Sequence, residues 1–430
     1  MRRLLSCLGF IAALCCPWSA FAQTPPSSCT VPSQNLWVRD QLNTYYYWYQ
    51  NLTPGVNPAN FASPEAYLEA VRYRPIDNTY SFITTAAASD AFYSDSQFIG
   101  YGFGYQVSAT DMRVLQVYDD SPASETGLLR GDRIVAVNGQ SVASLVSAGT
   151  IGSAFGTADI GVATSIDWET LNGDRRSASM VKRLVTIPTV SLTRVVDYNG
   201  RRVGYLFFRN FVQPSVPALN DAFAALKAAG ANELVLDLRY NGGGQVNVAV
   251  LLASLIGGVR TNGQVMYNQV HNDKIGPQYN ETARFTSQAQ ALTLERLFVI
   301  ATRSTASASE LIINALRPYM PVMIIGDSTY GKPVGQYGFR FCEKILYPVA
   351  FSLKNANMEG DFYDGLPVDC AAADDYLHQL GDTAEASFAE ALNYIRVGAC
   401  SARASTEARA QRVRPPVFTP AGWAAILNAQ

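Results

Sequence analysis

Ser307 stands between two kinds of sequence. Residues 296–302 are a short apolar run rich in β-formers, the pattern of a buried strand. From Ala308 onward the spacing turns helical, with Leu311, Ile312, Leu316 and Tyr319 on one face and Pro318 and Pro321 near the end. A hydroxyl at such a strand-to-helix turn lies among the free backbone N–H groups of the helix start. Those groups can stabilise a developing oxyanion, so the turn offers a nucleophile and half of an oxyanion hole together. A serine hydroxyl needs a base. The two histidines, His271 and His378, sit at no evident turn beside this element, and Lys332 is the better candidate. It follows a second apolar run, Val322-Met323-Ile324-Ile325, in a loop bracketed by Gly326 and Gly331. Lysine becomes a base only when burial lowers its pKa from about 10.4.

Another stretch could present backbone amides. Residues 233–238 form a near-continuous apolar strand of the parallel-sheet kind. It runs into Asp237-Leu-Arg-Tyr-Asn241-Gly242-Gly243-Gly244, with a helix beginning near Gln245. Three glycines between strand and helix let N–H groups approach a ligand, although a tight connection would use the same residues. The lysine also closes Gly326-x-x-x-x-Gly331-Lys332, all but one position of a phosphate-binding loop. The next residue is Pro333 where a Ser or Thr should hold magnesium, and the following stretch reads as a strand. A nucleotide site is therefore not expected.

Taken together, Thr305-Ala-Ser-Ala-Ser-Glu310, Gly331-Lys332 and Gln336 resemble the signature of the C-terminal processing (tail-specific) serine peptidases. Alone, Ser-Ala-Ser-Glu would read as a helix cap and Gly-Lys as surface. The resemblance makes Ser307 the nucleophile and Lys332 the base, at the 25-residue separation the family shows, with Gln336 helping to hold the lysine. Pro333 departs from the small residue usual after the lysine. The resemblance also implies that the glycine turn gives one oxyanion donor, at Gly243 with Gly242 as its neighbour, and that the Ala308 amide gives the other. Asp237, Arg239 and Asn241 are expected to be structural.

The elements that must position these groups follow in order. Residues 33–52 are expected as a helix, with Val38, Leu42, Tyr45, Tyr49 and Leu52 at helical spacing and Pro54-Gly55 stopping it. A second helix opens at Ser63-Pro64 and runs to about Val71, and residues 77–83 lead out of it. Residues 98–185 read as strands and turns. Within them, Ser121-Pro122 through Gly131-Asp132 to Asn138-Gly139 closely matches bacterial PDZ domains, and Asn-Gly is a hairpin turn. Tyr101, Gly102, Phe103 and Gly104 resemble the PDZ loop that binds a terminal carboxylate, with Phe103 expected to line the pocket for the last side chain. After residue 200 strands and helices alternate to a closing helix at 383–397. The expected fold class is thus α/β. A small helical segment (30–85) and a β-rich PDZ domain (95–190) precede a layered protease core (200–397), which the resemblance relates to the crotonase-like spiral. Residues 401–430 read as a linker and tail.

Charged residues make up 16% of the chain and the net charge is −2, which gives no general pull toward nucleic acid. Met1-Arg-Arg, the apolar residues 4–14 and Ala20-Phe-Ala22 read as a secretory signal peptide cleaved near Ala22, too short to span a membrane. Cys7 lies in a weak lipobox-like context with too little apolar sequence before it. Export leaves Cys29, Cys342, Cys370 and Cys400, an even number that predicts two disulfides with three connectivities open. The reading is an exported serine endopeptidase, without metal or cofactor, acting on protein or peptide substrates through their C-termini. The alternative is a PDZ-bearing binding protein with a degenerate protease core.

Overall fold

The structure is a computed structural model and describes residues 25–405. The signal-peptide reading at 1–22 and most of the tail at 401–430 lie outside the described residues.

The core is a six-stranded sheet ordered Val190–Tyr198, Arg201–Phe208, Glu233–Asp237, Leu297–Ala301, Val322–Gly326 and Cys370–Ala371. The first pair is antiparallel and the others are parallel. Glu233–Asp237 and Leu297–Ala301 are buried at every position, as parallel strands covered on both faces must be. Successive side chains serve opposite faces. Leu206, Leu234, Leu236 and Val299 meet the helices Ser215–Ala228, Val246–Thr261 and Ala308–Leu316 on one side. Tyr205, Phe207, Val235 and Ile300 meet Phe388, Leu392 and Ile395 of the helix Ala386–Val397 on the other. The result is a layered, mixed α/β core. Expected helices and strands here fall within a few residues of those observed.

The N-terminal helix Val31–Tyr45 stops earlier than its periodicity suggests. The Tyr47 N–H donates to Val349 O at 2.8 Å, so the chain leaves the helix to join the core. A single 3₁₀ turn, Tyr49–Asn51, follows. Its aromatics pack into the body, with Trp37 stacked on Phe341 at 4.6 Å between ring centroids. The second helix, Pro64–Val71, starts as expected, Ser63 Oγ accepting from the Ala66 N–H. Beyond it lie two unexpected elements. Strand Phe82–Thr85 pairs antiparallel with Lys344–Tyr347, and helix Ala86–Asp95 is capped by Thr85.

The PDZ region folds as a sheet ordered Phe103–Val107, Met112–Val117, Arg133–Val137, Ala163–Glu169 and Arg175–Val181, with Phe103–Val107 on the edge. Ser121 caps the short helix Pro122–Glu125. Asn138 and Gly139 both take positive φ, at 51° and 75°, as a two-residue hairpin turn requires. Cys29 pairs with Cys342 and Cys370 with Cys400, choosing one of the three connectivities. Among the described residues no helix is long and apolar enough to cross a membrane.

Candidate active site

Ser307 adopts φ 56° and ψ −115°, a conformation that suits glycine and strains a residue with a Cβ. The surrounding turn is stitched to the loop after strand Glu233–Asp237, and this holds the strain. Thr305 Oγ1 donates to Leu238 O at 2.7 Å, the Ala306 N–H to Asn241 O at 3.1 Å, and Ser309 Oγ to Asn241 O at 2.9 Å. Gly243 packs directly against the turn. A Cβ there would stand 2.9 Å from Ala306 O, from Ala308 N and from Ser307 Cβ, so only glycine fits.

Glu310 joins this turn to the lysine loop. Its fully buried carboxylate accepts from the Ser307 N–H at 2.9 Å and the Lys332 N–H at 2.8 Å through one oxygen. Through the other it accepts from the Gly331 N–H at 2.7 Å and Thr329 Oγ1 at 2.5 Å. Burial raises the Glu310 carboxyl and these donors oppose the rise. One atom of one side chain therefore fixes the backbones of Ser307 and Lys332 relative to each other. From the sequence alone Glu310 read as part of the serine signature and as a helix cap, with no link to the lysine loop.

Ser307, Lys332, Gln336, Ala308 and the glycines 242–244 line one cavity of about 520 Å³. Lys332 Nζ donates to Gln336 Oε1 at 2.6 Å, and the Gln336 amide in turn donates to Tyr80 O and Tyr347 O, each at 2.6 Å. Burial lowers the Lys332 amine to about 8, against the opposing pull of the Asp77 and Glu310 carboxylates. The amine lies 5.8 Å from the centre of the Tyr80 ring. The serine hydroxyl and the amine share the cavity, and the amine rests on Gln336. Neither histidine is in the lining. His271 stacks on Tyr337 and is bonded to its hydroxyl at 2.8 Å, and His378 pairs with Asp375 at 2.6 Å.

Two expectations need correcting. The Gly243 amide, expected to face the oxyanion, donates to Asn241 Oδ1 at 2.9 Å, because the turn uses that side chain as its own acceptor. Among the described residues the Gly242 and Ala308 amides have no acceptor within the chain. Phe103, expected to line an open pocket, is fully buried in the PDZ core against Tyr105 and Phe155, since the first residue of this edge strand points inward. Tyr101 is equally buried, with its hydroxyl bonded to Thr164 Oγ1 at 2.6 Å. Gly102 lies against Ser121, where a Cβ would come within 2.1 Å of the serine Cβ. Gly104 is the second residue of the edge strand, paired with Gln116. Arg239 is structural, fully buried and paired with Asp237 and Glu385.

The sequence missed the residues that residues 77–82 deliver. Thr79, Tyr80 and Phe82 line the cavity, as do Phe92 and Tyr93 of the unexpected helix. A thin signal was present in the aromatic and small polar character of Thr79-Tyr80-Ser81-Phe82, but it named no partner.

The profile of peptidase family S41 matches residues 202–354, that of the peptidase S41 N-terminal domain 33–82, and a PDZ domain profile 113–151. A carboxyl-terminal-processing protease of Synechocystis is 25% identical over 56% of this chain and 55% of its own length. The chloroplastic carboxyl-terminal-processing peptidase 1 of Arabidopsis thaliana is 29% identical over 58% and 52%. The chain thus matches about half the length of these curated relatives. A crystal structure from Bacteroides fragilis, itself assigned as an S41 protease, superposes with a TM-score of 0.67 at 26% identity, covering 84% of this chain and 97% of that one. With the serine turn, the glycine turn and the lysine loop around one cavity, residues 202–354 match peptidase family S41, residues 33–82 its N-terminal domain and residues 113–151 a PDZ domain.

Proposed function

We propose that this protein is a serine endopeptidase that cleaves protein substrates near their C-termini, with Ser307 as nucleophile and Lys332 as base. Ser307 Oγ attacks the scissile carbonyl carbon while its proton passes to the neutral Lys332 amine. The Ala308 amide and the glycine turn, through Gly242, hold the oxyanion. The protonated lysine gives its proton to the departing amine, leaving an acyl-enzyme. Lys332 then takes a proton from water, whose oxygen attacks the ester, and passes that proton to the Ser307 oxygen as the acyl bond breaks, which restores the hydroxyl and the neutral amine. In the free enzyme the amine rests on Gln336, and catalytic hydrogen bonds of this kind tighten when substrate is bound.

The observation that carries the reading is the lysine. Its amine, held near 8, shares a cavity with a serine in a strained strand-to-helix turn, the combination that makes a lysine a base and a serine a nucleophile. Two disulfides fit an exported chain in an oxidising compartment. In this reading the PDZ domain receives substrate C-termini along the edge strand Phe103–Val107, and the core's layering is crotonase-like. The test is a labelled-peptide digest with mass-spectrometric mapping of the cuts. Ser307→Ala and Lys332→Ala should each abolish cleavage while the fold survives, with the double variant no worse than either single. His271→Ala and His378→Ala should stay active. Near-normal turnover by either folded single variant at the serine or lysine would refute the assignment.

A further inference from the structure

The N-terminal segment places a buried acid behind the lysine that the serine and lysine loops do not account for. Asp77 is fully buried. One of its oxygens accepts from the Tyr80 N–H at 3.0 Å and the Ser81 N–H at 2.9 Å. The other accepts from the Tyr46 hydroxyl at 2.9 Å and from Ser81 Oγ. The carboxylate is thus the hub of a tight strap, 77–82. Ser81 Oγ also accepts from the Val349 N–H at 2.9 Å, fastening the strap to the core.

What the strap delivers is Tyr80. Its hydroxyl donates to the carbonyl of Gly331, the residue before the lysine. Its own carbonyl accepts from the Gln336 amide at 2.6 Å, and its ring lies beside the ammonium. Both immediate neighbours of Lys332, the loop that carries it and the glutamine that holds its nitrogen, are therefore tied to a segment whose shape depends on Asp77.

We propose that Asp77 is a positioning residue for Lys332: it shapes the strap that presses Tyr80 onto the lysine loop, and it sets a fixed negative charge behind the amine. The proposal deepens the peptidase reading and rests on it for its catalytic meaning. Two carboxylates, Asp77 and Glu310, act on the amine from within the protein. The phenols of Tyr80 and Tyr330 line the cavity with it, and Arg209, Asp90 and Arg340 line the same cavity. Asp77 works against burial, which favours the neutral amine, so it sets how readily the lysine gives up its proton.

Asp77→Asn separates charge from shape. The retained oxygen can still accept from both strap amides, and the new amide group meets two hydroxyls that can turn to accept. Asp77→Ser is a second neutral variant whose hydroxyl can mimic the turn. The measurement is pH-dependent labelling of the Lys332 amine with acetic anhydride, read by mass spectrometry, alongside the pH profile of kcat/KM for peptide cleavage. Both midpoints should move to lower pH by roughly half a unit to one unit, raising labelling at pH 7 about three- to fivefold. Tyr80→Phe keeps the charge and removes the hydroxyl bond to Gly331. It should lower kcat more than it changes KM and leave the Asp77 charge effect in place. A folded Asp77→Asn or Asp77→Ser protein with the wild-type labelling midpoint overturns the proposal. If Ser307→Ala still cleaves, the peptidase reading fails instead, and the labelling result stands or falls on its own.

Discussion

At the scale of single residues, Lys332 and Ser307 make opposite demands. The lysine must be neutral to act, so kcat/KM should rise with pH, pass its midpoint near the amine's value of about 8, and level off above it. At pH 7 about a tenth of the molecules would hold a neutral amine. A profile flat from acid to strongly alkaline pH would exclude Lys332 as the base. The serine must hold a backbone conformation in which glycine would rest easily. Ser307→Gly should therefore be inactive and yet more stable than Ser307→Ala by about 1 kcal/mol, read as a higher Tm. Equal Tm values for the two would mean that the turn stores no strain.

At the scale of elements, the arrangement depends on a strand-to-helix turn and a loop that share one carboxylate. Each Glu310 oxygen accepts at least one backbone N–H. In Glu310→Gln, whichever way the amide turns, its NH₂ faces a backbone donor. An unsatisfied buried donor costs about 1–3 kcal/mol, and a small displacement of catalytic groups can cost about a hundredfold in rate. Glu310→Gln should accordingly lower kcat by roughly that factor with little change in KM. Unchanged kcat in the folded variant would show that the shared carboxylate does not align the two loops. These elements also mark how far the sequence could be read. The two strand-to-loop junctions, the glycine turn and the PDZ hairpin were legible because each is written in neighbouring residues: an apolar run, a glycine, an Asn-Gly pair. The end of the first helix was not, because a bond from Tyr47 to Val349 decides it, and local periodicity carries no trace of a partner some 300 residues away. The role of residues 77–82 was hidden for the same reason. The bond of the Gly243 amide was hidden too, because only the folded chain reveals that Asn241 turns back on it.

At the scale of the whole molecule, the PDZ edge strand and the cavity that holds Ser307 and Lys332 belong to different parts of one chain. If the PDZ edge receives the substrate's end, its backbone amides should prefer a free carboxylate, since charge-assisted bonds are the stronger ones. A peptide ending in Ala, Val or Leu as the free acid should be cut faster than its C-terminal amide or a version ending in Asp. The quantity to compare is kcat/KM for matched peptides, and equal values for acid and amide would remove the PDZ domain from substrate choice. Phe103 is already occupied in the core, so replacing it should cost stability before it changes selectivity.

The pairing of Phe82–Thr85 with Lys344–Tyr347, and of Cys29 with Cys342, has a consequence for the order in which the molecule comes into being. Synthesis yields the strap first and the hairpin that seats it more than 250 residues later. A growing chain that has passed the serine but not the hairpin has Ser307 and no seated lysine. In the proposed peptidase the finished site therefore waits on a strand made after the serine and the lysine.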